Sequence, residues 1–144
     1  MRINSILNDK GDVVATVAPD TAVAEALGSL ADHGIGALVV SGDGQTVEGI
    51  ISERDIVRAM AEEGADTLDH PVRQLMTATV VTCTRSDTVD SLMATMTEQR
   101  VRHVPVVEDG ALCGIISIGD VVKHRVGELE SETRHLKDYI TTGR

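Results

Sequence analysis

Aromatic residues are almost absent from these 144 residues: there is no Trp, no Phe and a single Tyr, Tyr139. Any core must be filled by Val, Ile, Leu, Ala and Met, and an apolar content of 42% is enough for one. The same scarcity removes the stacking platforms used by proteins that bind single-stranded nucleic acids. Positive charge is scarce too, with 13 Lys and Arg against 23 Asp and Glu and a net charge of -10. That balance disfavours nucleic acid backbones and anionic membrane surfaces as partners. No apolar run approaches the roughly 18 residues of a membrane span. The opening MRINSILNDKGD has neither a long apolar run nor a small-residue cleavage site, so no secretion signal is expected. Cysteine is limited to Cys83 and Cys113, far apart and each in an apolar, strand-like run. They read as buried reduced thiols rather than a zinc site, and a cytoplasmic location fits them.

What the chain does have is a repetition. GIISERD at 49–55 returns as GIISIGD at 114–120, with five of the seven residues identical. The echo extends in both directions. INSIL at 3–7 resembles VRQLM at 72–76, each a short apolar-faced turn of helix. VVATV at 13–17 matches TVVTC at 79–83, so that Thr16 falls on Thr82, and both read as short strands. Val23, Ala26, Leu27 and Leu30 in one copy, and Val89, Leu92, Met93 and Met96 in the other, keep helical spacing. These helices give way to strands after Gly34 and Arg100. The turns SGDGQ and EDG then lead into a third strand, which runs straight into a second helix.

Each unit is thus strand–helix–strand–strand–helix. A unit of about 50–60 residues can rarely bury its own sheet face, so two copies should pack together as a pseudo-twofold pair. The expected fold class is α/β of the α+β type. Residues 1–60 form the first unit, 61–71 a polar linker closed by Pro71, and 72–126 the second unit, followed by a helical extension over 127–144. In that extension Val122, Val126, Leu129, Thr133, Leu136 and Ile140 alternate at spacings of four and three, a heptad-like stripe. Three heptads are too few for an independent coiled coil, so the stripe is expected to dock on its own domain or on a partner chain, with a second subunit favoured.

The repeated phrase has two chemical readings. Ser52 with Asp55, and Ser117 with Asp120, stand where a strand hands over to a helix, the arrangement of a capping box. Read functionally, free amides at a helix start suit polar ligand atoms, and Gly49 and Gly114 let another group approach the backbone. A carboxylate in that place repels phosphate but accepts from the two hydroxyls of a ribose, which points to a nucleoside. Phosphates would then need cations placed elsewhere. Arg102 and His103 open the strand RHVPVV of the second copy, where the first has Gly36 and Ala37. The first copy offers Arg54 within its motif and Lys10 ahead of its first strand.

With these residues in place, the duplicated unit ending in G-I-I-S-x-x-D, with RHVPVV in its second copy, resembles a tandem pair of CBS (cystathionine β-synthase) domains, a Bateman module. The resemblance covers roughly residues 3–126. It implies a regulatory module that binds adenine nucleotides in clefts between its repeats, the motif Asp holding the ribose. One expected site joins Asp120, Ser117, Arg102, His103, Val104 and Pro105 with Thr16 and Val17. The other joins Asp55, Ser52, Arg54 and Leu38 with Thr82, and relies on Arg54 and Lys10 for phosphate. Val39 replaces the family's proline in this copy, which makes the Asp120 site the stronger of the two. AMP leads the expected ligands, with ADP, ATP and NADH as alternatives; S-adenosylmethionine would make less use of Arg102 and His103. The family also implies a flat homodimer and an effector protein that receives the signal.

Two other readings stand beside this one. His33, His70, His103, His124 and His135 show no metal-ligand spacing, and there is no nucleophile elbow or Walker loop, so no catalytic or metal-binding residue and no obligatory cofactor is expected. A ligand-free dimerisation or adaptor module, with both S-x-x-D phrases serving only as caps, is the other.

Overall fold

The computed structural model describes residues 1–11 and 13–142. Helix α1 (Ile3–Lys10) leads into β1 (Thr16–Val17), α2 (Val23–His33), β2 (Ala37–Val40), β3 (Gly49–Ser52) and α3 (Glu53–Glu63). A 3-10 turn over Gly64–Asp69, with Thr67 buried, and the short α4 (Val72–Leu75) open the second half. There follow α5 (Val89–Gln99), β4 (His103–Glu108), β5 (Ala111–Ser117) and α6 (Ile118–Thr142). The result is a mixed α/β fold of two similar halves with a long C-terminal helix.

Helical spacing sets which faces are buried. Helix α2 buries Val23, Ala26 and Leu30, and α5 buries Val89, Leu92 and Met96 at matching positions. Leu27 and Met93, expected on the same faces, are each 36% exposed and lie at the margin of the stripe. Both helices end on a left-handed residue, Gly34 at φ 63° and Arg100 at φ 54°. Glycine takes that conformation freely, whereas arginine does so against its Cβ. The hairpin between β4 and β5 turns on Asp109 and Gly110, both with positive φ, as a two-residue hairpin requires.

In the first half β1 pairs parallel with β2, which pairs antiparallel with β3; in the second, β4 pairs antiparallel with β5. The strands expected over 13–17 and 79–83 are shorter than the sequence suggests. The first is two residues long, and the second shrinks to one bridge between Cys83 and Val106. Pro105 supplies the reason. In the first half Val39 donates its N–H to Ala15 O, but the equivalent residue Pro105 has no N–H to give. The ladder therefore closes only through Cys83 N to Pro105 O (3.0 Å) and Val107 N to Cys83 O (2.9 Å).

The leading helices are exchanged between the halves. Ile3, Ile6 and Leu7 of α1 pack in one core with Val89, Leu92, Met96, Val104, Val106 and Ile116 of the second half. Val72 of α4 packs in the other core with Val23, Leu30, Leu38, Val40 and Ile51 of the first. Backbone bonds repeat the relation: Ile3 N donates to Asp87 O (2.9 Å), and Val72 N donates to Thr21 O (2.8 Å). Gly49 and Gly114 serve this exchange. A Cβ on Gly114 would lie 2.6 Å from Leu7 Cδ2, and one on Gly49 would lie 2.5 Å from Met76 Sδ. The groups that approach the backbone at these two glycines are thus side chains of the exchanged segments.

Candidate functional site

Both S-x-x-D phrases form the capping geometry expected of them. At α3, Ser52 N and Ser52 Oγ donate to Asp55 Oδ2 (2.9 and 3.0 Å), and Asp55 N donates to Ser52 Oγ (3.2 Å). At α6, Ser117 N donates to Asp120 Oδ2 (2.8 Å) and Asp120 N donates to Ser117 Oγ (3.1 Å). Every one of these bonds to a carboxylate uses Oδ2, so Oδ1 of each acid takes no part in its cap. The capping role and an acceptor role toward a ligand are therefore compatible in one side chain.

The two starts differ in their surroundings. Lys10, at the end of α1, donates from Nζ to Asp120 Oδ2 (2.6 Å) and to Ile115 O (2.8 Å). The exchange of α1 brings it there, to the acid of the second copy and not to the Asp55 site expected from chain order. Burial alone would raise the Asp120 carboxyl, but Lys10 and the Ser117 N–H outweigh it and hold the group below its ordinary 3.8. No ion pair reaches Asp55 among the described residues, and Arg54 is exposed beside it.

His103 lies where the two halves meet. Its imidazole Cε1 would be 3.5 Å from a Cβ built on Gly36, an ordinary van der Waals contact, so the ring of the second copy packs against the first copy at that glycine. Burial, with Lys10 and Arg102, pushes the imidazole below its ordinary 6.5, against the opposing pull of Asp120 and Glu53. At neutral pH His103 is therefore an uncharged donor and acceptor rather than the cation expected beside Arg102. The exposed Arg102 and the half-buried Lys10 carry the positive charge here.

Strand alternation sorts the remaining candidates. Leu38 and Val104 are fully buried with their side chains in the two cores, so any contact they make with a ligand is through backbone. Val39 and Pro105 occupy the opposite face of their strands, paired with Ile50 and Ile115. Val39 is 0% exposed although it belongs to neither core, so it is covered from the far side of its sheet. Val39, Ile50 and Ile115 are the aliphatic residues that the motif reading passed over; the period of two along GII was the available signal. Thr16 and Val17 are half-buried on β1 opposite Val39 and Val40, and Thr82 is exposed next to the Cys83 bridge. A cleft of about 1020 Å³ lies between α1 and α6 and includes the Lys10–Asp120 pair in its wall.

Cys83 and Cys113 are free thiols, Cys83 buried and Cys113 half-buried. Burial, with Asp87 and Cys113 adding to it, pushes the Cys83 thiol up to about 12, so it stays protonated. Among the described residues no cluster of His, Cys, Asp or Glu is suited to a metal ion, and no helix is long and apolar enough to cross a membrane.

A duplicated unit with two Ser-x-x-Asp helix starts and exchanged leading helices defines a tandem two-repeat module. The CBS domain pattern matches residues 10–62 and 72–127, and the chain belongs to the CBS domain family. It is 38% identical over 128 residues to the mitochondrial CBS domain-containing protein CBSX3 of Arabidopsis thaliana, covering 86% of this chain but 62% of that protein's length. The CBS-domain containing protein ATU1752 from Agrobacterium tumefaciens superposes with a TM-score of 0.84 at 51% identity, over 87% of this chain and 99% of that one. PAE2072 of Pyrobaculum aerophilum, complexed with AMP, superposes at 0.78 with 28% identity over 92% and 99% of the two chains. The CBS pair of MJ0100, complexed with 5′-methylthioadenosine and S-adenosylmethionine, superposes at 0.79 with 25% identity over 89% and 98%.

Proposed function

We propose that this chain is a regulatory module that binds an adenine nucleotide, AMP first, with ADP, ATP and NADH as alternatives, and passes the occupancy to an effector protein. The observation that carries the reading is the free Oδ1 of an ionised Asp120, held at a helix start with Lys10, Arg102 and His103 around it. Asp120 Oδ1 would accept from the ribose hydroxyls while Oδ2 keeps its cap. Arg102 and Lys10 are within the same cluster to meet phosphate, and His103 can donate to it. Ile50 and Ile115, half-buried beside the buried Val39 and Pro105, would offer an aliphatic face to the base. The AMP complex of PAE2072 supports the ligand class. The adenosyl ligands of MJ0100 support recognition of adenosine more than of phosphate. The Asp55 site, without a cation on its acid, is the weaker of the two.

A bound nucleotide that touches both repeats changes their arrangement only by its differential affinity for one arrangement. The test is calorimetric titration with AMP, ADP, ATP, NADH and S-adenosylmethionine of the unmodified chain, Asp120→Ala and Asp55→Ala. Saturable binding abolished by Asp120→Ala and merely weakened by Asp55→Ala is the expected result. No heat with any of the five, in protein shown to be free of copurified nucleotide, would overturn the reading and leave both motifs as caps.

A further inference from the structure

Helix α6 begins in the core and ends outside it. Val121 is buried, Arg125 pairs with Asp90 of α5 and with Glu128 (3.0 Å), and His124 lies 3.4 Å from Glu128. From Leu129 to Thr141 every residue is exposed. On that free stretch Leu129 is 60% exposed, Leu136 59% and Ile140 58%. A lone polar helix would not carry such a row.

We propose that α6 pairs with α6 of a second copy of this chain, side by side and parallel, as a short two-stranded coiled coil. The residue types select this occupant. Val126, Thr133 and Ile140, all β-branched, fall at the first position of successive heptads, and Leu129 and Leu136 fall at the fourth. That combination favours two parallel strands over higher assemblies. The flanking charges agree. In a parallel pair, a residue just before one core position meets the residue five places later on its neighbour. Glu132 then faces Lys137 of the partner subunit, and Arg125 faces Glu130 of the partner subunit, opposite signs in both cases. An antiparallel pair centred on the same stretch would set Glu130 against Glu130, Glu132 against Glu132 and Lys123 against Lys137. Like charges thus disfavour that direction.

Three heptads make a marginal coiled coil when both helices must form from coil. Here the body already holds the first turns of α6, so pairing adds contacts to a helix whose start is fixed. The stripe is also accessible. Val122 is one residue on from the buried Val121, about 100° around the helix, so the paired face points away from the molecule's own core. This pairing does not involve the nucleotide site, and it places the dimer contact on α6 rather than on the faces of the repeats.

The experiment is sedimentation equilibrium on the unmodified chain, Leu136→Glu, Glu132→Lys, Lys137→Glu and the double reversal, with oxidative cross-linking of Leu136→Cys and Ser131→Cys. The expected result is a dimer that Leu136→Glu dissociates. Each single reversal weakens it about tenfold, by turning two attractive exposed pairs repulsive, and the double reversal restores it. Leu136→Cys links two chains, since the same position faces itself in a parallel pair, and Ser131→Cys on the outer face does not. A monomer throughout would overturn the proposal. So would a dimer indifferent to these changes, which pairs through the body, or one that cross-links only in a mixture of Leu129→Cys and Thr133→Cys, which is antiparallel. Circular dichroism of each variant separates lost pairing from lost helix.

Discussion

Leu7 fills the space in which a side chain on Gly114 would have to sit. Its Cδ2 atom is 2.6 Å from the ideal Cβ position, and the contact joins the first helix of the chain to the fifth strand. Both residues lie in a region without flexible polar tips to move aside, because Leu7 is 2% exposed and is held between Ile3, Ile6 and the second core. Gly114→Ala is expected to destabilise the fold by about 1–3 kcal/mol through overpacking. Urea denaturation of Gly114→Ala, Leu7→Ala and the double variant checks it: the two effects should be less than additive, and additivity would mean that the residues do not touch.

Arg100 ends α5 in the left-handed conformation that Gly34 takes at the end of α2. Replacing it should relieve the Cβ contact at little loss, as the side chain makes no hydrogen bond or ion pair among the described residues. Arg100→Gly is expected to raise stability by about 0.5–1 kcal/mol, read as a higher thermal midpoint. Gly34→Arg should lower it by a similar amount.

The Lys10–Asp120 pair gives a pH signature. The folded Asp120 titrates below its ordinary 3.8, so its contribution to stability is present above that value and is lost as the pH falls through the folded pKa. Lys10→Met is expected to remove about 1 kcal/mol or less at pH 7, the range of a partly exposed pair. The difference between the two chains should shrink below about pH 4 and vanish once Asp120 is protonated. Guanidinium unfolding at a series of pH values checks it, and a difference that persists unchanged at pH 2 would assign Lys10 to packing alone.

His103 provides the ligand-dependent counterpart. In the free chain burial holds its pKa below the ordinary 6.5, with Lys10 and Arg102 adding to that and Asp120 and Glu53 opposing it. A phosphate beside the ring would raise its pKa, so binding takes up a proton and strengthens as the pH falls. AMP should bind several-fold more tightly at pH 6 than at pH 8, while adenosine shows no such trend. His103→Gln should remove the tightening at low pH, leave only the trend of the AMP phosphate's own titration at about pH 6, and keep part of the affinity. Calorimetry in two buffers of different ionisation heat measures the proton directly.

The repeat made most of the architecture legible before any coordinates. Period-3.6 stripes marked α2 and α5, and the motif marked where β3 and β5 hand over to α3 and α6. Their matching spacing fixed the equivalence of Asp55 and Asp120. The first strands were overread because Val and Thr favour extension wherever they occur, whereas the ladder at 79–83 is limited by a missing N–H on Pro105, some twenty residues away. Lys10 was misplaced for a related reason. Chain order puts it next to the first repeat, and only the crossing of α1 to the second core brings it to Asp120. The charge state of His103 likewise depends on burial against Gly36, which one strand's sequence does not carry. Leu38 and Val104 enter through the family resemblance, and the two-residue period of the strand turns their side chains into the two cores.

The exchange of α1 and α4 makes each hydrophobic core a joint product of both halves of the chain. It also leaves the halves inseparable: residues 1–66 expressed alone would carry Ile3, Ile6 and Leu7 with no sheet to receive them, and a first core with Val72 missing. Neither half by itself holds a complete core.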